Sequence, residues 1–280
     1  MKNLKNKYVL LLLLILIIGF WTLKDMLSNK QETPIEQEDG MHIQDPIEID
    51  DFYIASIYNP EGFTGEYKTY SDDQHQSKFG IDVSEFQRTI DWKKVKESGI
   101  DFAYIRLGYH SNRDYLLHVD SMFYENYENA KDNDVMIGVY FASQAINTVE
   151  VKEEVDFILD VVKKLDIDLP IVFDYEEPAN SRISGLTAYQ KTAICQKFCD
   201  ELKNNNYNVI VYTNQYFSSI SYNLDKMQDL HYWFAQYNVE KPDYDLPICM
   251  WQYSETGQID GIEGNVDLDI MFTQKRGLFE

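Results

Sequence analysis

The stretch IVFDYEEP, Ile171 to Pro178, joins an apolar run typical of a buried β-strand to three carboxylates within four residues. Side chains alternate between the two faces of a strand, so Val172, Asp174 and Glu176 are predicted to share one face. Glu177 then points to the opposite face, and we predict a structural role for it. The pattern therefore indicates a strand whose end carries two neighbouring acids.

Seven further short apolar runs lie between Phe79 and Phe272, and helical segments separate the earlier ones. These runs are FGIDVS, FAYIRLG, MIGVYFA, NVIVYTN, HYWFAQY, ICMWQYS and VDLDIMF. Asn147 is predicted to cap one helix, and Thr187 with Gln190 forms a capping-box pattern before another. Alternating strands and helices indicate a parallel sheet. We predict an α/β fold, a TIM-like (β/α) barrel of eight strands with reduced helices, and keep an open doubly wound sheet as the alternative.

The N-terminus predicts a membrane anchor. Residues 1–7 contain Lys2, Lys5 and Lys7, and the uncharged run YVLLLLLILIIGFWTL occupies residues 8–23. This run is slightly shorter than the roughly 20 residues of an ordinary transmembrane helix, but no small-residue cleavage site follows it. We predict an uncleaved transmembrane signal-anchor at the cell membrane, with a cytoplasmic N-terminus and an extracellular remainder. A cleaved signal peptide and a secreted protein are the alternative.

Residues 24–78 are predicted to form an acidic extracellular stalk, and residues 79–280 the folded domain. The segment has thirteen Asp and Glu residues against four Lys, and three prolines interrupt it. Its second half, DFYIASIYNPEGFTGEY, has enough aromatic residues to pack against the folded domain.

Charge and cysteine content exclude several functions. The formal net charge of −22 argues against nucleic acid as a partner, because both molecules are anionic. Cys195 and Cys199 lie four residues apart on a predicted helix, but no second Cys or His pair has matching spacing, so a buried apolar role is favoured over a metal site. With Cys249 they make no disulfide framework. We predict neither a metal nor a cofactor.

Acidic residues recur where the predicted strands meet the mouth of the barrel. In a parallel barrel the carboxyl ends of the strands surround one mouth, where the chemistry takes place. The first strand ends at Asp82, the fourth carries Asp174 and Glu176, and the last carries Asp267 and Asp269. Two close carboxylates raise the pKa of the one in the less polar setting, which suits a general acid for glycosidic cleavage, while the other stays ionised. Solvated loop acids or helix caps are the alternative, and we predict catalysis.

Aromatic residues on or just after the predicted strands are typical of a sugar-binding groove, because flat rings suit the apolar faces of pyranoses. About half of them are expected to be core residues instead. The candidates for substrate contact are Tyr140, Tyr212, Trp233, Tyr237 and Trp251. Neither a Ser-His-Asp pattern nor a phosphate-binding loop is recognisable, so carboxylate chemistry is the mechanism that the sequence supplies.

Several motifs occur together and in order: GIDVSEFQ at Gly80–Gln87, PIVFDYEE at Pro170–Glu177, YTN at Tyr212–Asn214, WFAQY at Trp233–Tyr237 and the closing MWQYSETGQIDGIEGNVDLDIMF. From Phe79 to about Phe272 they resemble glycoside hydrolase family 25, the N-acetylmuramidases also called Chalaropsis-type lysozymes.

The resemblance implies an irregular, flattened barrel that hydrolyses the β-1,4 bond between N-acetylmuramic acid and N-acetylglucosamine in peptidoglycan. It implies that Glu176 is the proton donor and Asp174 its partner carboxylate. Asp82 on the first strand and Asp267 on the last are implied as further site acids.

The leading hypothesis is a membrane-anchored muramidase that acts on the cell wall. It would remodel peptidoglycan, or open it locally for secretion or conjugation machinery. Two alternatives are kept: a non-catalytic glycan-binding barrel, and a hydrolase of another N-acetylated glycan such as chitin.

Overall fold

Eight strands close into a barrel in the computed structural model, which describes residues 60–65 and 68–275. The strands of the described chain are β1 Phe63–Thr64, β2 Thr69–Tyr70, β3 His75–Val83, β4 Phe102–His110, β5 Leu117–Val119, β6 Met136–Ala142, β7 Ile171–Asp174, β8 Val209–Asn214, β9 Tyr232–Ala235, β10 Ile248–Gly257 and β11 Val266–Gln274. The barrel order is β3-β4-β6-β7-β8-β9-β10-β11, and β11 returns to β3. The closed ring confirms the predicted barrel and excludes the open doubly wound sheet.

The last barrel strand runs opposite to the others. Neighbours are parallel from β3 through β10, whereas β11 is antiparallel to both β10 and β3. Only a short loop joins β10 to β11, which allows a hairpin but not the longer crossover that a parallel strand needs. The parallel arrangement indicated by the sequence therefore holds for seven of the eight barrel strands, and the amino end of β11 lies at the mouth, where the parallel strands end.

Five α-helices flank the described part of the barrel, so the predicted reduction in helices is confirmed. They are α1 Trp92–Glu97, α2 Phe123–Asp132, α3 Thr148–Val162, α4 Ala188–Asn204 and α5 Gln215–Ser221. The Asn147 side chain caps α3 as predicted, and Thr187 and Gln190 form the predicted capping box on α4. Within the described residues, β9 and β10 are joined without an α-helix.

Two apolar layers hold the barrel together. One fills the lumen and includes Phe102, Tyr104, Val172 and Trp233. The other lies between the strands and the outer helices, and it contains Cys195 and Cys199 on the inner face of α4. Both thiols are free and buried, which confirms the predicted apolar role for this pair.

The described residues before β3 pack on the barrel, although they were assigned to the stalk. Phe63 on β1 has its ring centroid 5.7 Å from that of Trp251 and 6.3 Å from that of Phe272. Tyr70 on β2 lies 5.7 Å from Phe272. The β1–β2 hairpin covers apolar residues of β10 and β11, so the expectation that aromatics of this segment pack on the domain is confirmed for Phe63. The packed domain begins before residue 79, because β3 itself starts at His75.

The predicted anchor at residues 8–23 lies outside the described residues, as does the stalk before residue 60. The bounds of the anchor and the start of the stalk therefore stay predictions. In the part of the chain that the structure describes, none of the helices combines the length and the apolar character needed to cross a bilayer.

Phe63→Ala is expected to lower the free energy of unfolding by about 2 kcal/mol, less than for a fully buried Phe because Phe63 is half-buried. The corresponding decrease in Tm is about 4–8 °C for a domain of this size. Thermal unfolding of the purified protein measures it. Thr64→Ala is the control, since Thr64 is exposed and should leave the Tm nearly unchanged. An unaltered Tm for Phe63→Ala would show that the hairpin does not stabilise the barrel.

Candidate active site

The four predicted site acids meet at the mouth of the barrel. Asp82, one residue before the end of β3, lies opposite Asp267 at the start of β11. Asp174 is the last residue of β7, and Glu176 follows two residues later. Their charges interact: Glu176 and Asp82 raise the pKa of Asp174, and Asp267 raises the pKa of Glu176. The structure therefore brings together acids from the first, fourth and last barrel strands.

The alternation predicted along β7 is confirmed. Val172 belongs to the lumen layer, whereas Phe173 and Tyr175 belong to the outer layer. Glu177 also points outward, because its Oε2 lies 2.6 Å from Nζ of Lys191 on α4. Only one face of this segment serves the mouth.

Burial is the main reason why the pKa values of Asp174 and Glu176 are raised. The pKa of Asp174 is raised well above its ordinary value by burial, then by the charges of Glu176 and Asp82. Its Oδ1 has no hydrogen-bond partner among the described residues. The pKa of Glu176 is raised by burial and then by Asp267. Because the two carboxyls interact, they titrate as a pair, and Asp174 does not simply stay ionised as the sequence suggested.

The opposite wall of the mouth also holds acids with raised pKa values. Burial raises the pKa of Asp82 well above its ordinary range, and the charges of Asp269 and Asp267 add to the effect. Burial and the charge of Glu255 raise the pKa of Asp267 to about 6. Asp269 is fully buried and accepts a 2.8 Å hydrogen bond from Nε1 of Trp233. Its position on the VDLDIMF run was visible in the sequence, but its depth was not.

Gln252 on β10 is a site residue that sequence reasoning missed. Its Nε2 donates to Oδ2 of Asp82 at 2.6 Å, and its Oε1 accepts from the hydroxyls of Tyr212 at 2.9 Å and Tyr237 at 2.6 Å. With both ends of the amide occupied, its orientation toward Asp82 is fixed. A polar residue inside the apolar run ICMWQYS was the available signal.

Arg106 on β4 is a second missed residue. Its Nε donates to Asp120 at 2.7 Å, and one Nη donates to Glu85 at 3.1 Å. Its positive charge lowers the pKa of Asp174 and so opposes the effect of burial. A charge within the apolar run FAYIRLG was the signal for it.

Three of the five predicted aromatic residues lie at the mouth. Tyr140 is adjacent to Arg106 in the sheet register, and Tyr212 is adjacent to Asp174. Tyr237 follows β9 and joins Tyr212 on the amide of Gln252. All three tyrosines are half-buried, so one part of each side chain is open to a ligand.

The two predicted tryptophans lie elsewhere. Trp233 is buried in the lumen. Its ring centroid lies 5.0 Å from that of Tyr212, so the tryptophan packs against the buried side of the tyrosine. Trp251 is fully buried on the outer face of β10 against Phe63. Neither ring is accessible to a sugar in this structure. For Trp251 the reason is the alternation of the strand, which turns Gln252 to the mouth and its neighbour outward.

Backbone contacts from the segment after β6 hold the acid pair in place. Ser143 N donates to the carbonyl of Asp174 at 2.8 Å, and Nε2 of Gln144 donates to the carbonyl of Glu176 at 2.8 Å. Ser181 Oγ in turn donates to Oε1 of Gln144 at 2.6 Å. These bonds position both acids although they touch neither carboxylate.

Glu177→Gln is expected to affect stability rather than catalysis. Lys191 is buried, and its charge would lose the carboxylate that pairs with it. We expect a loss of about 1–2 kcal/mol, below the value for a fully buried pair because Glu177 is solvent-accessible. The hydrogen bond from Lys191 lowers the pKa of Glu177, so the stabilisation is present at neutral pH and is lost as the pH falls through that lowered pKa. Urea unfolding of both forms should therefore differ at neutral pH and converge in acid; equal stability at neutral pH would contradict the role of the pair.

Comparison with known proteins agrees with this arrangement. Residues 81–262 match the family described as "Glycosyl hydrolases family 25". The autolytic lysozyme of Clostridium acetobutylicum is 31% identical over 190 residues, which cover 68% of this chain and 54% of that protein. Lysozyme M1 of Streptomyces globisporus is 28% identical over 198 residues, covering 67% and 65%.

A solved structure is also similar. The bacterial lysozyme from Streptomyces coelicolor superposes with a TM-score of 0.60 and 27% sequence identity, over 69% of this chain and 90% of that one. The chain thus spans nearly the whole of this relative, but only about half the length of the autolytic lysozyme.

Proposed function

Because the chain belongs to family 25 of the glycosyl hydrolases, we propose that it is a lysozyme that cleaves the β-1,4 bond between N-acetylmuramic acid and N-acetylglucosamine in peptidoglycan. The observation that carries this proposal is the pair Asp174 and Glu176, held at the mouth with raised pKa values. The lysozymes similar to this chain support the substrate.

Glu176 serves as the general acid in this proposal. Its raised pKa keeps a proton on the carboxyl at higher pH than an ordinary Glu would, and that proton passes to the leaving glycosidic oxygen. Asp174, Asp82 and Asp267 face the developing positive charge on the sugar. Repulsion among their negative charges is part of the reason why the pKa values of these acids are raised. A positive charge that develops nearby favours their ionisation, and the ionised carboxylates in turn stabilise that positive charge.

Digestion of purified peptidoglycan tests the activity. We expect the turbidity to fall and new reducing ends to appear on N-acetylmuramic acid. Chitin oligomers, which contain only N-acetylglucosamine, are the matched control and should be cut much more slowly. Binding to peptidoglycan without new reducing ends would instead indicate a non-catalytic glycan-binding barrel, and equal cleavage of chitin would indicate a broader glycosidase.

We further infer that the enzyme is tethered to the cell membrane by residues 8–23, with the barrel outside the cell. Lys2, Lys5 and Lys7 before the apolar run support this orientation. A tethered hydrolase of this kind would remodel the wall, or open it locally for secretion or conjugation machinery.

Protease treatment of wall-stripped cells tests the location. The barrel should be removed while the N-terminus stays protected, and the full-length protein should stay with the membranes in high salt. Mature protein found free in the medium, beginning near residue 28 or later, would contradict the tether and leave the muramidase activity untouched.

A further inference from the structure

Phe86 is an apolar ring held in solvent. It lies on the short 3-10 turn Glu85–Gln87 directly after β3, and its exposed fraction is 75%. The turn is fixed at its start, because Ser84 Oγ accepts from the Phe86 amide at 3.3 Å and Gln87 Oε1 accepts from the Ser84 amide at 2.9 Å. A rigid turn that exposes an aromatic ring keeps apolar surface in water, which burial against a ligand would remove.

The guanidinium of Arg106 lies against the ring of Phe86. The Cζ atom is 5.0 Å from the centroid of that ring and 5.2 Å from the centroid of Tyr109. The Tyr109 ring stacks in turn on His118, with centroids 5.3 Å apart. These cation–π and stacking contacts orient the rings, so a ligand that binds there pays less to order them.

Arg106 itself is immobilised. Asp120, which is buried, accepts from its Nε at 2.7 Å and also accepts from the backbone amide of Glu85 at 3.1 Å. Glu85 completes the link, since its carboxylate accepts from Arg106 at 3.1 Å and from Ser121 Oγ at 2.7 Å. The turn that carries Phe86 is therefore tied to β4 and to the start of α2.

The group formed by Phe86, Arg106 and Tyr109 begins beside the acid pair Asp174 and Glu176. Arg106 follows Phe102 and Tyr104, whose side chains fill the lumen, and it adjoins Tyr140 in the sheet register. The charge of Arg106 acts on Asp174. The exposed ring of Phe86 thus lies at the edge of the mouth, next to the ends of β3 and β4.

The other exposed apolar side chains of the described chain lie on the same side of the barrel. Apart from Ile220, they lie in loops that leave the mouth or on the first turn of the helix that follows: Tyr115, Leu116, Tyr124, Ile146, Val149, Tyr189 and Tyr216. This distribution places exposed apolar side chains at the end of the barrel where the acid pair lies.

We propose that Phe86, with Arg106 and Tyr109 behind it, is a sugar-stacking site that binds a pyranose of the glycan strand beyond the bond that is cut. The ligand class is an N-acetylated hexosamine unit, whose apolar face covers the exposed face of the Phe86 ring. The identity of the polymer rests on the proposed function. The position of the site beside the acid pair, on the face where apolar side chains are exposed, favours the same glycan strand over a separate partner.

Binding by the full chain with Glu176→Gln tests the site without turnover. The probes are peptide-free peptidoglycan oligosaccharides of eight sugars and of two sugars, titrated calorimetrically. Adding Phe86→Ala should weaken the affinity for the eight-sugar probe by about tenfold and the affinity for the two-sugar probe less than twofold, because the proposal places Phe86 against a sugar outside the disaccharide that occupies the acid pair.

Two matched variants separate stacking from apolar bulk. Phe86→Trp should bind the long probe at least as tightly as the parent, whereas Phe86→Leu should resemble Phe86→Ala. Unchanged binding of the long probe by Phe86→Ala would overturn the inference. An equal loss for both probes would also overturn it, because Phe86 would then act through the shape of the acid site, and so would parent-like binding by Phe86→Leu.

Failure of the inference is distinguishable from failure of the proposed function. If the unmutated chain releases no N-acetylmuramic acid ends from peptidoglycan, the lysozyme proposal is wrong whatever Phe86 binds. If that chain cuts peptidoglycan while Phe86→Ala binds the long probe normally, only the stacking site is wrong.

Discussion

Glu176→Gln should reduce the turnover of peptidoglycan by about 10²–10⁴-fold, the usual contribution of a general acid. The amide keeps the shape of the side chain, and the Gln144 contact to the backbone carbonyl of residue 176 is unaffected. The substitution removes the proton for the leaving oxygen, together with the charge that Glu176 exerts on Asp174 when it is ionised. Release of reducing ends, measured at saturating substrate, gives the loss in kcat.

The matched control is Glu177→Gln, one residue along and pointing outward to Lys191. It makes the same chemical change on the opposite face, so turnover should stay close to that of the parent below its unfolding temperature. More than a tenth of parental turnover in a folded Glu176→Gln protein would contradict the assignment of the acid. A large catalytic loss in Glu177→Gln would instead show that the face of the segment that carries Glu177, and not the face that carries Glu176, lies at the mouth.

Asp174→Asn should reduce activity by about 10²–10³-fold, since it removes a carboxyl that can ionise beside the developing positive charge. It should also change the pH dependence. The two carboxyls titrate as a pair, so the basic limb reports the loss of the last proton that they hold, and the charge of the carboxyl that is already ionised delays that loss. Without that charge Glu176 loses its proton at lower pH. The basic limb of the kcat/KM profile is therefore expected to move to lower pH.

The control for the pH profile is Asp200→Asn. Asp200 is exposed on α4 and carries the same charge, so its removal changes the net charge equally but should leave the profile in place. A residual Asp174→Asn profile at the parental position would show that the two carboxyls do not interact. A shift of equal size in Asp200→Asn would assign the effect to the overall charge.

The strands and the alternation along IVFDYEEP could be predicted because each depends on neighbouring residues. The lumen position of Val172 and the outward position of Tyr175 follow from a two-residue repeat, and the cap of α3 follows from Asn147 and the first turn after it. The gathering of acids at one mouth followed from the parallel order of most strands.

Other features depend on contacts between distant parts of the chain. Whether an aromatic on a strand faces the mouth or the outer layer is decided by the register, which the apolar character of the run does not reveal. Trp251 was misplaced for this reason, and Gln252 was missed beside it. Trp233 does face the lumen, but it is buried there, and a single run of sequence does not reveal that depth. Likewise the β1–β2 hairpin has a partner only because β10 and β11 expose apolar residues there.

By itself the sequence determined the eight strands, the caps of two helices and the shared face of Asp174 and Glu176, since periodicity and capping are local properties. Only the tertiary structure decided that β11 runs antiparallel, so that Asp267 lies opposite Asp82, and that Gln252 and Arg106 join the acids. The raised pKa values belong to this second group. They arise from burial and from charges supplied by different strands, and both exist only once the barrel has closed.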